Sequence, residues 1–379
     1  MAYDKVVDSA SLDSKLTQVA DAIRTKGNTS ADLQFPSGFI SAIQAIHTGT
    51  ELQIIVSVTS GATVTATKGS KVVSGTSVNG TCTLVVPEEG EWTVSATLGG
   101  ATSDSNIVNV VSSYDTVLAF ASTTLNDNSW EKIRGISDAG MGANYWSIGD
   151  RKAITLNGTV GVLSLSNYTT YAFIIGFNHN ASVEGTNRIH FQLGKTALSG
   201  GTDVALCDKY YEDTGGGFCM NTSNSNSGGW ASSNMRTAIC GTSLSSYSDT
   251  IIAVIQAALR AVLKSVTKYT DNTGGGNGNV ASNVTATTDY FFLLSEFEVF
   301  GSTAGANSNE ASKQAQYAYY SAGNSKIKYK HNGTSTAAYW WLRSPNASNS
   351  TSFVYVSADG PVGYSNAYYS LGFAPGFCV

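Results

Sequence analysis

In the stretch that begins at residue 51, Gly, Asn and Pro punctuate the chain into short β-branched runs. "LQIIVSV", "ATVTATKG", "TCTLVVP", "GEWTVSATLGG" and "NIVNVVSS" alternate β-branched and polar residues across residues 51–111. That is the period of strands with one buried face, at the spacing of a small sandwich. Trp92 is its expected core residue. Farther along, "YAFIIGF", "RIHFQLG", "YFFLLSEFEVFG" and "TSFVYVSADG" read as strands, whereas residues 129–137, 230–239, 249–267 and 309–321 read as helices. A long polar loop is expected over residues 271–288. Helices and strands mix without a βαβ rhythm, so the fold class is α+β, and 379 residues divide into several domains. Charged residues make up only 13%, about half the usual share of roughly 25%. Short strands joined by uncharged polar turns account for that deficit.

Before the strands, "SLDSKLTQVADAIRTKG" places Leu16, Val19, Ala20 and Ile23 on one helical face and stops at Gly27. "FPSGFISAIQAI" places Phe39, Ile40, Ile43 and Ile46 on a second short helix. Two helices this short do not bury a stable core alone, so their apolar faces call for a partner, with a mini-domain packed on its own chain as the alternative. The expected domains are a helical docking or oligomerisation module at 1–49, a β-sandwich spacer at 50–112 and a large domain at 113–379.

A net charge of −5 and the lack of a Lys/Arg run argue against nucleic acid. No apolar run approaches the roughly 18 residues of a membrane span, and membrane insertion is not expected. "MAYDKVVDSASLD" has neither a basic nor an apolar leader region. Synthesis in the cytoplasm without a signal peptide is therefore expected. Cys82, Cys207, Cys219, Cys240 and Cys378 show no CxxC spacing. They read as buried free thiols, with a Cys207–Cys219 bridge left open. His47, His179, His190 and His331 lack metal-ligand spacing, and His190 sits between Ile189 and Phe191 on an expected strand. "TGGGNGN" lacks the GK[ST] ending of a phosphate loop and reads as a flexible surface loop. "SDAGMGANYWSIGDR" and "TDNTGGGNGN" offer oxygens in turns, but neither follows the EF-hand spacing. No catalytic residue, cofactor or metal is expected.

The richest signal lies between "AAYWWLRSP" and "FAPGFCV". The flanks read as core: Trp340, Trp341, Pro345, Pro375 and Phe377 buried, with Arg343 paired or stacked. "SFVYVSADGPV" reads as a hairpin, with a strand over 352–357 and a turn at Asp359 and Gly360. The residues between the flanks are mostly Asn, Ser and Tyr. Tyr supplies contact area with few rotamers, and Ser and Asn supply adaptable hydrogen bonds. On composition alone, a binding surface and a passive polar loop stay equally open.

Residues 12–46 resemble an N-terminal module of bacteriophage tail proteins, and residues 51–111 an immunoglobulin-like spacer. "WEKIRGISDAG", "NYWSIGD", "ITLNGTVG", "YAFIIGFNHN", "NRIHFQLGKTAL", "SGGWASSNMR", "VTKYTDN", "FFLLSEFEVFG", "YWWLRSP" and "GFAPGFCV" together cover most of residues 130–379. They resemble phage and bacterial proteins with a C-type lectin-like fold, whose closing tract is in several systems rewritten by a diversity-generating retroelement. The resemblance implies a constant scaffold at Trp340, Trp341, Leu342, Arg343, Ser344, Pro345, Gly372, Ala374, Pro375 and Phe377. It implies a variable, ligand-binding surface within about 343–373, at Asn346, Ser348, Asn349, Ser350, Ser352, Phe353, Tyr355, Tyr364, Asn366, Tyr368, Tyr369 and Leu371. Pro361 and Gly376 depart from the usual pattern. The EPN or QPD and WND motifs of calcium-dependent sugar-binding lectins are absent, so lectin-like shape does not imply that activity. The implied function is a virion tail receptor-binding protein that meets a host-surface protein or glycan. It would join other tail proteins through its N-terminal helices and assemble as a homotrimer. The alternatives are a purely structural tail protein, a bacterial surface adhesin, which would need an export signal, or an enzyme akin to the formylglycine-generating enzymes. The last would need a reactive cysteine such as Cys378.

Overall fold

The computed structural model describes residues 9–26, 30–45 and 51–379. They form an α+β, multidomain chain that divides into two compact units, Met1–Thr97 with Ser103–Ala119, and Leu98–Thr102 with Phe120–Val379. Among the described residues no helix is long and apolar enough to cross a membrane.

In the first unit, helices Ser9–Lys26 and Ser37–Ala45 meet through Ala20, Ile23 and Phe39, with Leu16, Leu33 and Ala42 packed against them. Val19, Ile40 and Ile43, which belong to the apolar faces read from the sequence, are exposed. Two short helices share a single line of contact, so the second row of each apolar stripe finds no partner within the hairpin. Ile46 and His47 lie outside the described residues.

The strands that follow form two sheets. In one, Gln53–Ser57 is central, antiparallel to Thr81–Val85 and parallel to Ser113–Val117. The other pairs Lys71–Thr76 with Thr63–Lys68, Thr63–Lys68 with Gly90–Leu98, and Gly90–Leu98 with Asn106–Val110. Every second residue is buried along the inner strands, as Ile54 and Val56, Val64 and Ala66, and Trp92, Val94 and Ala96 show. The expected boundary at 112 is corrected here. "SYDTV" adds a strand to the sheet through Val117. Its residues are nearly all exposed, so it carries no alternation for sequence reading to detect.

The second unit is built on an antiparallel sheet in the order Phe291–Phe292, Gly376–Cys378, Ile189–Lys195, Leu163–Phe177 and Arg151–Val160. "GFC" is therefore an interior strand, with Phe377 facing both Phe191 and Phe291 in register. A second antiparallel sheet joins Trp340–Pro345, Ser352–Val356 and Val362–Asn366. That is the expected hairpin, with its turn at Asp359 and Gly360. Three readings are corrected. The helix expected over 249–267 is two single turns, Ile251–Val254 and Ala257–Arg260, followed by the strand Val266–Asp271. The helix expected over 309–321 is likewise two short turns, Ser308–Ser312 and Ala318–Ser321. "YFFLLSEFEVFG" is a strand only at Phe291–Phe292. The Ser295 hydroxyl and the Glu298 carboxylate then cap each other's backbone N–H, starting the helix Glu296–Phe300.

Candidate binding surface around the C-terminal tract

The strand Trp340–Pro345 is buried throughout, and each polar group it carries inward is satisfied. Trp340 Nε1 donates to Lys326 O at 2.9 Å and Trp341 Nε1 to Phe218 O at 3.0 Å. Arg343 is wholly buried. Its guanidinium meets Glu298 in a two-point pair, at 2.5 and 2.9 Å, and also donates to Thr270 Oγ1 at 2.8 Å and Leu293 O at 2.9 Å. Lys268 Nζ bridges Glu298 at 2.9 Å and Glu184 at 2.8 Å, and donates to Tyr317 Oη at 2.8 Å. Two buried cations thus face two buried carboxylates, which is the condition for keeping charge inside a protein. Burial by itself would raise Glu298, but Arg343 and Lys268 override it and hold the carboxylate below its ordinary range.

Outside this frame the tract folds against two other loops. Asn226 is fully buried and pins all three. Its Nδ2 donates to Asn346 O at 3.2 Å, Asn349 O at 2.7 Å and Ser352 O at 2.8 Å. Its Oδ1 accepts from Gly275 N at 2.7 Å. The Gly-rich segment, expected as a flexible surface loop, is packed on the tract. Gly274, Gly275, Gly276 and Gly278 all adopt positive φ, and Gly278 N donates to Ala347 O at 2.7 Å. A Cβ on Gly276 would lie 2.9 Å from Ser350 N, so only glycine permits that approach.

The structure divides the expected contact residues into two groups. Ser348, Asn349 and Ser350 are exposed at the loop tip, Tyr364 is 58% exposed, and Tyr355, Asn366, Tyr368 and Tyr369 are half-buried. Asn346, Ser352, Phe353 and Leu371 are buried, which corrects their expected place on the surface. Phe353 and Leu371 are core apolar residues. Asn346 turns its Oδ1 back to Ser348 N at 2.9 Å and shapes the loop from inside.

The exposed and half-buried tyrosines continue into rings that the tract reading missed. Tyr355 lies edge-on to Tyr339 at 5.2 Å between centroids, Tyr339 to Tyr211 at 5.4 Å, and Tyr211 to Tyr210 at 5.2 Å. Tyr211 also approaches Tyr369, which contacts Tyr368 at 5.1 Å. Lys330 Nζ sits 3.9 Å from the Tyr210 ring centroid. The result is a tyrosine belt assembled from four separated places in the chain, 210–211, 339, 355 and 368–369, each ring packed on its neighbour. Tyr211 holds φ at 66°, a left-handed conformation that costs a bulky residue about 1–3 kcal/mol. Two backbone bonds hold it there, Tyr211 N to Ser370 O at 2.7 Å and Ser370 N to Glu212 O at 3.1 Å. Gly363 completes the belt: a Cβ there would sit 2.7 Å from the Tyr355 ring.

Other candidate chemistry is used up internally. All five cysteines are buried and unpaired, and burial pushes the Cys378 thiol up to about 12, keeping it protonated beside His190. His179, Glu184 and His190 bring donor atoms within 4.8 Å of one another, which their sequence spacing did not announce. The Lys268 ammonium already occupies the Glu184 carboxylate at 2.8 Å, so a divalent cation would have to displace a buried charge. Asp271, in the Asn- and Gly-rich segment once considered for a cation, accepts instead from Thr273 N, Gly274 N and Asn307 Nδ2.

Residues 203–379 match a family described as "Domain of unknown function (DUF6273)". The matched span holds the whole tyrosine belt, the tract, Lys268, Glu298 and Arg343. No curated protein matches the chain.

Proposed function

We propose that the chain is a phage tail receptor-binding protein whose C-terminal domain, of C-type lectin-like type, presents the tyrosine belt and the 348–350 loop to a molecule on the host cell surface. The immunoglobulin-like sandwich serves as a spacer, and the N-terminal hairpin joins the tail and assembles the trimer. The observation that carries this reading is the belt itself. Six tyrosines from distant segments form one chain of ring contacts, and one of them is held at a strained φ. Rigid aromatic anchors with adaptable Ser and Asn beside them are the composition of recognition surfaces. Diversification fits the same layout: Ser348, Asn349, Ser350, Tyr364, Tyr368 and Tyr369 can change without entering the core.

The test is adsorption of the full chain to a panel of bacterial strains. Tyr211→Ala and Tyr369→Ala each remove an anchor of hot-spot type, so each is expected to weaken binding by about 30-fold while the melting temperature of the second unit stays within a few degrees. Adsorption that survives both changes would remove the belt as the contact surface, and no adsorption by wild type to any strain would leave the structural tail protein as the reading.

A further inference from the structure

Beside the tract lies an open cleft of about 440 Å³ whose lining is Asn, Ser and Thr, among them Asn221, Thr222, Ser223, Ser225 and Asn234. We infer that this cleft binds a neutral saccharide chain, an inference that rests on the receptor-binding reading and names the ligand class for it.

The lining is the first argument. Every residue carries a hydroxyl or a carboxamide; none is charged and none is a large apolar group. A cleft of this kind gives a protein partner no apolar pocket for an anchor and gives an ionic group no counter-charge. It offers what a polyol needs, many donors and acceptors in close array. The volume lies within the range of about 300–1,000 Å³ usual for ligand sites.

The second argument is that the cleft is built rather than incidental. Asn221 ties its two walls together: Nδ2 donates to Ser225 O at 2.7 Å, and Oδ1 accepts from Asn234 N at 3.0 Å. One wall continues into a π-helix, Met235–Cys240, a rare element that concentrates at functional sites. The Asn234 carboxamide meets only the weak acceptor Cys219 Sγ, at 4.0 Å, and so keeps its donors for a ligand.

The third is position. The segment bearing Asn221 is stitched to the tract, with Cys219 bridged to Ser370 and Asn221 N donating to Ala367 O at 2.9 Å. Tyr368 and Tyr369 lie on that same paired stretch. Hydroxyl and amide groups therefore stand next to aromatic rings, which suits a sugar: its hydroxyls hydrogen-bond while its C–H face lies on a ring. A chain of sugars running from the cleft across Tyr368 and Tyr369 would touch the tract's variable positions.

The experiment uses the full-length chain on a printed array of neutral and acidic bacterial oligosaccharides, followed by titration of the best hit and adsorption to the strain panel. Wild type is expected to bind at least one neutral oligosaccharide. Thr222→Ala/Ser223→Ala/Asn234→Ala is expected to weaken that binding at least 10-fold. Ser223→Trp, which fills the cleft from an exposed position and leaves the core alone, is expected to do the same. Periodate treatment of the cells should abolish adsorption and protease treatment should not. If the cleft variants adsorb normally and protease rather than periodate removes binding, the ligand is a protein on the tyrosine belt; the saccharide inference falls and the receptor-binding reading stands. Binding to acidic oligosaccharides alone overturns the neutral class. No adsorption by wild type to any strain, with an empty array, overturns both.

Discussion

Arg343 shows what a single buried charge does in this fold. Its guanidinium lies where the strand Trp340–Pro345 crosses the helix Glu296–Phe300, and Glu298 answers it at two points. Removing Arg343 leaves Glu298 and Glu184 to share Lys268, one buried carboxylate in excess, at a cost of about 3–5 kcal/mol. Arg343→Ala is therefore expected to lower the melting temperature of the second unit by on the order of 10 °C in scanning calorimetry. Arg343→Met/Glu298→Gln leaves no orphaned charge and should recover part of that loss. A neighbour gives the opposite pH signature. Glu310 is buried, and burial pushes its carboxyl from the ordinary 4.5 up to about 7. A raised folded value means that the folded state holds the proton more tightly. Its contribution is complete below about 4.5 and is lost as pH rises through about 7. His190, held neutral by burial and by Lys268, works the other way, costing stability as pH falls below 6.5. Comparing Glu310→Gln with wild type cancels that second effect. Between pH 5 and pH 8 wild type should lose up to about 3 kcal/mol relative to the variant. A constant gap between the two melting curves would contradict the assignment.

At the scale of elements, the tract is held by loops, and glycine decides how close they come. Gly276 and Gly278 both carry positive φ, so an alanine at either costs about 1–2 kcal/mol of backbone strain. Only Gly276 faces a neighbour, since a Cβ at Gly278 meets nothing within 4 Å. Gly276→Ala is therefore expected to destabilise more than Gly278→Ala and to speed hydrogen exchange over residues 346–351. Equal exchange in the two variants would mean that the Gly-rich loop does not support the tract. The strand Ser352–Val356 and the buried tryptophans were legible in the sequence, because alternation and aromatic flanks are local signals, whereas "GFC" read only as a buried flank and not as the interior strand it forms. The partner of Arg343 was less visible, although Ser295 and Glu298 form a readable capping pair that breaks the apolar run at its true boundary. Asn226 and the rings Tyr210, Tyr211 and Tyr339 left no such mark. Their role comes from a register of distant segments, and no window of sequence contains it. Asn346, Ser352, Phe353 and Leu371 were placed on the surface by the resemblance alone, which carries over positions, while facing depends on which side of the pleat each residue falls.

At the scale of the whole molecule the remaining question is how many copies act together. Among the described residues, the buried core of the N-terminal hairpin is Ala20, Ile23 and Phe39, too little for independent stability. Val19 and Ile43 line an open groove of about 420 Å³ with Ala22 and the stems of Lys15 and Lys26, and Phe35, Ile40 and Leu12 are also exposed. Covering that stripe with the hairpins of two further copies would supply the missing core. The expectation is a trimer in sedimentation velocity. Val19→Glu/Ile43→Glu, which places a carboxylate on each helix of the groove, should yield monomers. The melting of the second unit should not change, because neither residue belongs to it. Linked weak sites gain about 10²–10⁴-fold in avidity over one site. The monomeric variant should therefore keep its affinity for a soluble ligand fragment and lose adsorption to intact cells by about that factor. A wild-type chain that sediments as a monomer, or a monomeric variant that adsorbs as well as wild type, would remove multivalency from the account and require each tyrosine belt to suffice alone.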